Sequence, residues 1–211
     1  TFKENSDNAV HAFDVKDISY TGMQLCLKDG PHNLTVGDNV SGELHWKGER
    51  LEIVGSVKWA KGARLGVQFA GQVDGALLRF LSMDNLVRGL RAVHSASLGL
   101  EVPANLRYWL YGDGPVELFV WQHAHGEISR AQIIILHTFV EWEDGKGPRS
   151  GRVLTLRNVD TPLVSEDEFV FQVDQRPDAS KLETAHGLLM RLPASHISEE
   201  VRDFIALKLR G

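Results

Sequence analysis

Asp17-Ile18-Ser19-Tyr20-Thr21-Gly22 is a short polar stretch at the end of a predicted β-strand. Just before it, Phe13 and Val15 fall on one face at the two-residue spacing of a pleated chain, and Asp17 and Ser19 continue that spacing. A carboxylate and a hydroxyl on an apolar face must leave the core or find partners, because a buried unpaired charge is costly. The rim of a barrel would satisfy that requirement. We therefore expect the strand to end in a polar turn that a ligand can approach closely at Gly22.

An ordinary strand-ending turn accounts for the same residues without any ligand. Asp and Ser side chains commonly accept hydrogen bonds from the backbone of such turns, which stabilises them locally. The stretch alone therefore leaves a binding turn and a purely structural turn open.

Three further segments follow this turn in a recognisable order. They are Gly37-Asp38-x-Val40, Gly55-x-Val57-x-Trp59 and Leu65-Gly66-Val67-x-Phe69. Together with Asp17-x-Ser19-x-x-Gly22, these segments resemble the PilZ domain family over residues 1 to about 70. Four pieces in a fixed order are far more specific than the turn alone.

The resemblance implies a six-stranded antiparallel β-barrel that binds the bacterial second messenger cyclic di-GMP. In that family the turn contacts the guanine end of the nucleotide, and this role carries over here to Asp17, Ser19 and Gly22. The other half of the family's site is an Arg-x-x-x-Arg pair ahead of the first strand. In this sequence no Arg precedes Asp17 and no two arginines are four positions apart. Bidentate, charge-assisted hydrogen bonds from Arg hold phosphates and guanine acceptors, and Asp17 and Ser19 cannot replace these hydrogen bonds.

Two hypotheses follow for the first domain. Thr1-Phe2-Lys3-Glu4 resembles the middle of the family's first strand, and the sequence starts with Thr rather than Met, which predicts a longer chain with the arginines upstream. The leading hypothesis is a non-enzymatic cytoplasmic receptor that transmits cyclic di-GMP binding to a protein partner, in control of motility, adhesion or exopolysaccharide. The alternative is a nucleotide-independent adaptor whose barrel binds proteins. An enzyme in the second domain, regulated by the barrel, is a weaker third hypothesis.

Composition limits the partners and the compartment. The formal net charge of −5 argues against a nucleic-acid polymer as partner, because affinity for that backbone requires a basic surface. The single cysteine, Cys26, cannot form an internal disulfide and suits a reducing cytoplasm. Apolar runs such as Ile133 to Leu136 are far shorter than the ~20 residues that span a bilayer.

The sequence predicts a mainly β (α+β) chain in three parts. Residues 1–72 form the barrel, residues 73–98 a helix and linker, and residues 99–211 a β-rich domain that ends in two helices. Alternation places the following apolar side chains inside the barrel: Met23, Leu25, Leu27, Leu51, Ile53, Val57, Trp59, Leu65, Val67 and Phe69.

The connecting helix is predicted over residues 74 to about 92, from apolar residues at spacings of three and four. It is apolar on more than one side, so we expect it to pack on the barrel and on either the second domain or a second subunit, which makes a homodimer one option. The linker is predicted at His94 to Gly99.

Five strands are predicted in the second domain, and no family is recognised for it. They are Tyr108–Tyr111, Val116–Trp121, Gln132–Trp142, Arg152–Leu156 and Glu168–Val173. Ile133 to Leu136 is apolar on both faces, which predicts the central strand of the sheet. Helices are predicted at about 179–191 and 199–210, the second with Ser198 as its N-cap. A second, degenerate barrel is one architecture compatible with this pattern.

Other residue groups carry weaker functional hypotheses. His123, His125 and His137 could form a zinc site, but solvated turn histidines are the favoured interpretation. Arg149-Ser150-Gly151-Arg152 could hold a phosphate, although such residues more often keep a hairpin soluble. No Gly-rich phosphate loop, nucleophile elbow or metalloprotease helix occurs, so we predict no enzymatic activity and no metal or cofactor.

Overall fold

The computed structural model describes residues 1–5, 11–28, 32–46, 48–71, 75–93, 103–112, 116–154 and 170–210. The chain divides into two compact units, Thr1–Asn85 and Leu86–Gly211. Strands in the first unit are β1 (Phe2–Glu4), β2 (Ala12–Ile18), β3 (Gly22–Leu27), β4 (Asn39–Trp46), β5 (Glu49–Lys61) and β6 (Arg64–Phe69). Among all the residues that the structure describes, no helix is long and apolar enough to cross a membrane.

The six strands of the first unit form a closed antiparallel barrel in the order β1-β2-β3-β6-β5-β4, as predicted. Closure satisfies the backbone groups that a sheet edge would otherwise expose. Its interior is filled by apolar side chains with almost no exposed surface: Phe2, Phe13, Leu25, Val40, Leu44, Val57 and Leu65. Burial of these side chains is the main driving force for the barrel.

The predicted helix over residues 74–92 is wrong in its extent. The structure has two short helices, α1 (Gly75–Phe80) and α2 (Met83–Gly89), followed by strand β7 (Leu90–Ala92). Asn85 ends the first helix, because its amide Nδ2 donates to the carbonyl oxygens of Arg79 (3.0 Å) and Phe80 (3.3 Å). The spacing of apolar residues continues across this break, which is why periodicity alone did not reveal it. The linker predicted at His94 to Gly99 lies outside the described residues.

The second unit contains a seven-stranded antiparallel sheet, not a second barrel. After β7 come β8 (Leu106–Gly112), β9 (Val116–Gln122), β10 (Ile128–Ile135), β11 (Thr138–Glu143), β12 (Gly147–Val153) and β13 (Phe171–Val173). The order is β13-β12-β11-β10-β9-β8-β7, so β10 is central. That confirms the prediction made from the apolar run at Ile133.

The single strand predicted from Gln132 to Trp142 is wrong. It is a hairpin, in which β10 and β11 pair from Ile135 with Thr138 to Arg130 with Glu143. Leu136 turns the chain with a φ of 56°, a left-handed conformation that non-glycine residues seldom adopt. No glycine or proline marks this turn, so the sequence pattern showed one continuous strand.

Other predicted bounds also shift. The strand expected at Arg152–Leu156 is instead β12, Gly147–Val153, and the segment 155–169 lies outside the described residues, including the start of the strand expected at Glu168. Helices α3 (Ala179–Leu189) and α4 (Glu199–Leu209) agree with the predicted helices to within two residues. Ser198 occupies the N-cap of α4, but its side chain makes no capping hydrogen bond.

The two sides of this sheet differ in what they present. On one side, Trp142 of β11 meets Phe204 of α4 edge to face, with ring centroids 5.3 Å apart. The opposite side, called here the aromatic side, carries Trp109, Phe119, Trp121, Ile134 and Phe139, all buried. Trp109, Phe119 and Trp121 form a stack with centroids 5.7 and 5.6 Å apart.

Strand β12 is tied to helix α3 by one buried hydroxyl. Ser150 has no exposed surface, and its Oγ donates to Asp174 Oδ2 (2.5 Å) and accepts from the backbone N–H of Asp178 (2.8 Å). Lys181 Nζ donates to the same Asp174 oxygen at 2.7 Å. The hydrogen bonds from Lys181 and then from Ser150 lower the pKa of Asp174. Asp178 in turn caps α3 by accepting from the N–H groups of Ser180 and Lys181.

Ser150→Ala tests this connection. The substitution leaves the Asp178 N–H without its acceptor, and we expect it to lower the unfolding free energy of the second unit by about 1–3 kcal/mol. Chemical denaturation followed by circular dichroism measures the change. Ser195→Ala removes an exposed hydroxyl and should have almost no effect. Equal stability of the Ser150→Ala variant and the unaltered protein would show that the hydroxyl is dispensable.

One end of the barrel buries a carboxyl group among imidazoles. Glu4 is 5% exposed, and its Oε2 makes no hydrogen bond in the described part of the chain. The two ring nitrogens of His32 are also buried without a hydrogen bond there. Burial raises the pKa of Glu4, and the nearby His11 and His32 oppose that shift. The barrel therefore favours the protonated form of Glu4.

Glu4→Gln should change how stability depends on pH. Because the folded-state pKa of Glu4 is raised above its usual 4.5, its favourable contribution is complete below that pH and is lost as the pH rises through the folded-state pKa. We expect the variant to be more stable than the unaltered protein by about 1 kcal/mol at about pH 8, and equal to it at about pH 4. Thermal melts across this range measure the difference. Glu52→Gln, on an exposed residue of β5, serves as the control, and a pH-independent difference would rule out Glu4 as the cause.

Candidate functional site on the outer wall of the barrel

The turn between β2 and β3 is held together by Ser19. The Ser19 backbone N–H donates to the carbonyl of Gly22 at 2.8 Å, and Ser19 Oγ accepts from the N–H groups of Thr21 and Gly22, both at 3.2 Å. The same hydroxyl can donate to the Gly22 carbonyl at 3.1 Å. Ser19 is 6% exposed. The Ser19 hydroxyl therefore makes hydrogen bonds that stabilise its own turn.

Gly22 is required by the packing of two strands. A Cβ added at this position would overlap the carbonyl oxygen of Val67 on β6 and lie 3.4 Å from the Cα of Gln68. Any side chain there would push β3 away from β6, with which it pairs. The close approach predicted at Gly22 is thus made by the barrel's own backbone.

A β-bulge places Asp17 on the outside of the barrel. Val15 pairs with Leu25, but Asp17 pairs with Gln24, so Lys16 is an extra residue in β2. Such an extra residue reverses the side chains that follow it. Ile18 is therefore buried inside, paired with Met23, and Asp17 faces outward. The prediction that Asp17 continues the face of Phe13 and Val15 is wrong for this reason.

A second bulge moves Trp59 to the outside as well. Val57 pairs with Val67, but Trp59 pairs with Gly66, so Lys58 is the extra residue of β5. Trp59 is 37% exposed, whereas it was predicted to lie inside the barrel. Its indole lies over Gly66, where an added Cβ would be 2.6 Å from the indole Cε2. Gly66 is thus the position that lets the ring lie against the strand.

These side chains form one row across the outer wall, called here the outer row. Pairing runs from Asp17 on β2 to Gln24 on β3, then to Gly66 on β6 and Trp59 on β5. Neighbouring strands are about 4.8 Å apart, so the row spans roughly 15 Å. Gln24 is 9% exposed, and its Oε1 makes no hydrogen bond in the described part of the chain. The row therefore combines a carboxylate, a hydrogen-bond acceptor without a donor, and an indole with one face toward solvent.

Sequence reasoning identified only part of this arrangement. The structure brings Asp17, Ser19 and Gly22 together at one turn, but only Asp17 belongs to the outer row. Gln24 and Gly66 were missed as candidates, and Trp59 was assigned to the core. The glycine that pairs with Trp59 was the one available signal, because a glycine inside a strand often marks a close approach of another group.

The metal and phosphate candidates lie elsewhere. His123 Nε2 lies 3.4 Å from Asp144 Oδ2, in a turn of the second unit. Within the described ranges, no group of three or more His, Cys, Asp or Glu side chains is placed to hold a metal ion. Arg149 and Arg152 point to opposite sides of β12, because they are three residues apart on a strand.

Comparison with known proteins agrees with this architecture. Residues 2–82 match the family model described as the PilZ domain. No curated protein and no solved structure shows significant similarity to the chain. The PilZ family consists of binding domains rather than catalysts, and cyclic di-GMP is the ligand of the family in general. Its model covers the closed six-stranded barrel and ends before the seven-stranded sheet begins. Residues 2–82 are therefore a PilZ domain, and the remainder of the chain is a second unit to which no family is assigned.

Proposed function

We propose that the barrel is a receptor for cyclic di-GMP that binds one guanine base on the outer row. The Watson–Crick edge of guanine presents N–H donors, and the outer row offers two acceptors side by side, the Asp17 carboxylate and Gln24 Oε1. The observation that carries the proposal is the buried Gln24 oxygen, for which the described part of the chain supplies no donor. A buried acceptor that lacks a donor is costly, and a ligand N–H would remove that cost.

Trp59 supplies the second part of the proposed guanine contact. One face of its indole lies on Gly66, and 37% of the residue is exposed. A base stacked on the exposed face would gain about 1–3 kcal/mol, as aromatic platforms for nucleotides do. Asp17 and Gln24 would then fix the orientation of the same base. Ser19 and Gly22 would contribute indirectly, by holding the turn and the β3–β6 spacing.

The receptor proposal also requires cations for the two phosphates. The outer row has no arginine, and in the sequence given none precedes Asp17. The proposal places the arginines in the complete natural chain ahead of Thr1, where binding would order them against the barrel. The bound nucleotide and the ordered segment together would present a changed surface to a protein partner in the bacterial cytoplasm, where this messenger acts.

The competing proposal is a nucleotide-independent adaptor. One observation favours it: the Ser19 hydroxyl is used by its own turn. In an adaptor, the outer row would contact protein, and Trp59 would be an ordinary interface aromatic. Binding of cyclic di-GMP distinguishes the two proposals.

Calorimetric titration of cyclic di-GMP into the complete natural chain is the decisive measurement. We expect saturable binding, weakened about 10- to 100-fold by Asp17→Ala, because a hydrogen bond to a charged group is lost. Asp14→Ala removes a carboxylate from the same strand, one that pairs with Lys28 at 3.2 Å, and should leave the affinity unchanged. Residues 1–211 alone are titrated in parallel, and weaker binding by them would locate the arginines upstream. No binding by the complete chain would overturn the receptor proposal in favour of the adaptor.

Trp59→Leu tests the stacking platform. We expect it to weaken cyclic di-GMP binding by about 1–3 kcal/mol, roughly 5- to 150-fold, with the barrel still folded. Gly66→Ala should act in the same direction, because its methyl group would displace the indole. Val54→Ala alters another exposed apolar residue of β5 and is the matched control. Unchanged affinity in Trp59→Leu would remove Trp59 from the binding surface, while the Asp17 result would still stand alone.

A further inference from the structure

Two arginines share one fully buried carboxylate on the aromatic side of the second sheet. Glu141 has no exposed surface. Arg130 donates from Nε and Nη2 to Glu141 Oε2 at 2.9 and 2.8 Å. Arg149 donates from Nε to Oε1 at 2.6 Å and approaches the same oxygen with Nη2. These three residues are called here the Arg130–Glu141–Arg149 triad, and their charges sum to +1.

The nearest acidic residue on the same side of β11 is itself paired with a lysine. Glu143 follows on the same side of β11, but it pairs with Lys146 at 2.8 Å. The hydrogen bond from Lys146 chiefly lowers the pKa of Glu143, and the positive fields of Arg130 and Arg149 add to that effect. The side chains of Arg130 and Arg149 are 22% and 43% exposed, so solvent reaches the guanidinium edge of the triad.

Unsatisfied donors lie beside the triad. Trp121 pairs across the sheet with Arg130, whose guanidinium lies 4.6 Å from the centre of the indole ring, and Gln132 pairs with Glu141. Trp121 Nε1 and Gln132 Nε2 are buried and have no hydrogen-bond partner within the described part of the chain. Both residues are 3% exposed. Trp109 Nε1, further along the same side, is a third such donor.

The nitrogen groups of these side chains act only as hydrogen-bond donors. Guanidinium, indole and amide nitrogens only donate hydrogen bonds, and both oxygens of Glu141 are already taken by the two arginines. Within the described part of the chain, the Trp121 and Gln132 donors beside the two arginines have no acceptor, and a negatively charged acceptor would match them. Buried arginine–carboxylate groups are seldom explained by stability alone, because apolar side chains of similar volume often stabilise a fold as well or better.

We propose that the Arg130–Glu141–Arg149 triad, with Trp121 and Gln132, is a binding site for the phosphate group of a small ligand. Glu141 acts as the positioning residue, because its two carboxylate oxygens accept hydrogen bonds from both guanidinium groups and so fix their orientation. The arginines supply bidentate hydrogen bonds to phosphate oxygens, because the planar guanidinium group matches the spacing of those oxygens. The Trp121 and Gln132 N–H groups supply donors to the same oxygens or to the group that carries the phosphate. This site is independent of the outer row and of cyclic di-GMP.

The phosphate could be free or attached to an organic group, and titration distinguishes the two sources. Inorganic phosphate, AMP and adenosine are each added to the full chain at constant ionic strength. The indole N–H signals in ¹H–¹⁵N spectra are followed, and Trp121→Phe assigns the signal of Trp121. We expect a saturable shift of that signal with AMP, and none with adenosine. A matching shift with inorganic phosphate would show that the phosphate group alone is sufficient.

Arg149→Met provides the variant, and Arg152→Met provides the matched control on the same strand. We expect Arg149→Met to weaken phosphate or AMP binding by about tenfold or more, and Arg152→Met to leave it unchanged. Arg149→Lys keeps the charge but not the bidentate geometry, so its affinity for phosphate or AMP should lie between those of the two Met variants. It also serves as the test if Arg149→Met does not fold. Asp17→Ala should have no effect, which separates this site from the barrel. The proposal is overturned if neither phosphate nor AMP gives a saturable Trp121 shift, or if the shift persists at equal affinity without the Arg149 guanidinium.

Discussion

The side chains of a β-strand alternate with a period of two, so one extra residue exchanges the inside and the outside of everything beyond it. The barrel uses this constraint twice. The bulge at Lys16 sends Ile18 inward and Asp17 outward, and the bulge at Lys58 brings Trp59 out of the core and onto Gly66. Without either bulge, a carboxylate or an indole would have to enter an interior already filled by Phe13, Leu25 and Leu65. The outer row therefore exists because β2 and β5, the strands that flank β3 and β6, each contain one extra residue that shifts the alternation of their side chains.

Physical features visible in the sequence account for most of the barrel and for the centre of the second sheet. Alternating apolar residues predicted strands with one buried face, the PilZ resemblance implied six of them in a closed barrel, and an apolar run on both faces predicted that Ile133 lies in the central strand. The failures share one feature, since no residue that normally signals such a break marks its position. The bulge at Lys16 has no glycine to mark it, Leu136 turns the chain in a conformation that glycine normally takes, and the Asn85 amide ends a helix whose apolar spacing continues.

The second unit keeps polar side chains buried and gives them hydrogen-bond partners, whereas the barrel turns its polar side chains outward. Its central strands are covered on both sides, so polar residues on them cannot reach water and must find partners within the fold. Ser150 does so completely, through Asp174 and Asp178. Glu141 does so through two arginines, and the Trp121 and Gln132 donors beside it have no acceptor among the residues that the structure describes. Fully satisfied polar groups in such a sheet are explained by folding, whereas unmatched ones require an explanation outside the fold.

The same distinction separates the residues of the turn between β2 and β3. Ser19 is saturated by backbone contacts of its own turn, and Gly22 is fixed by the carbonyl of Val67, so both are explained by the barrel itself. An Asp-x-Ser-x-x-Gly turn therefore specifies the barrel wall more directly than it specifies a ligand. In the receptor proposal, nucleotide binding depends on groups outside that motif: the Gln24 acceptor, the exposed face of Trp59, and cations able to neutralise two phosphates. Barrels that share the turn can accordingly differ in whether they bind a nucleotide, because the turn is needed for folding in either case.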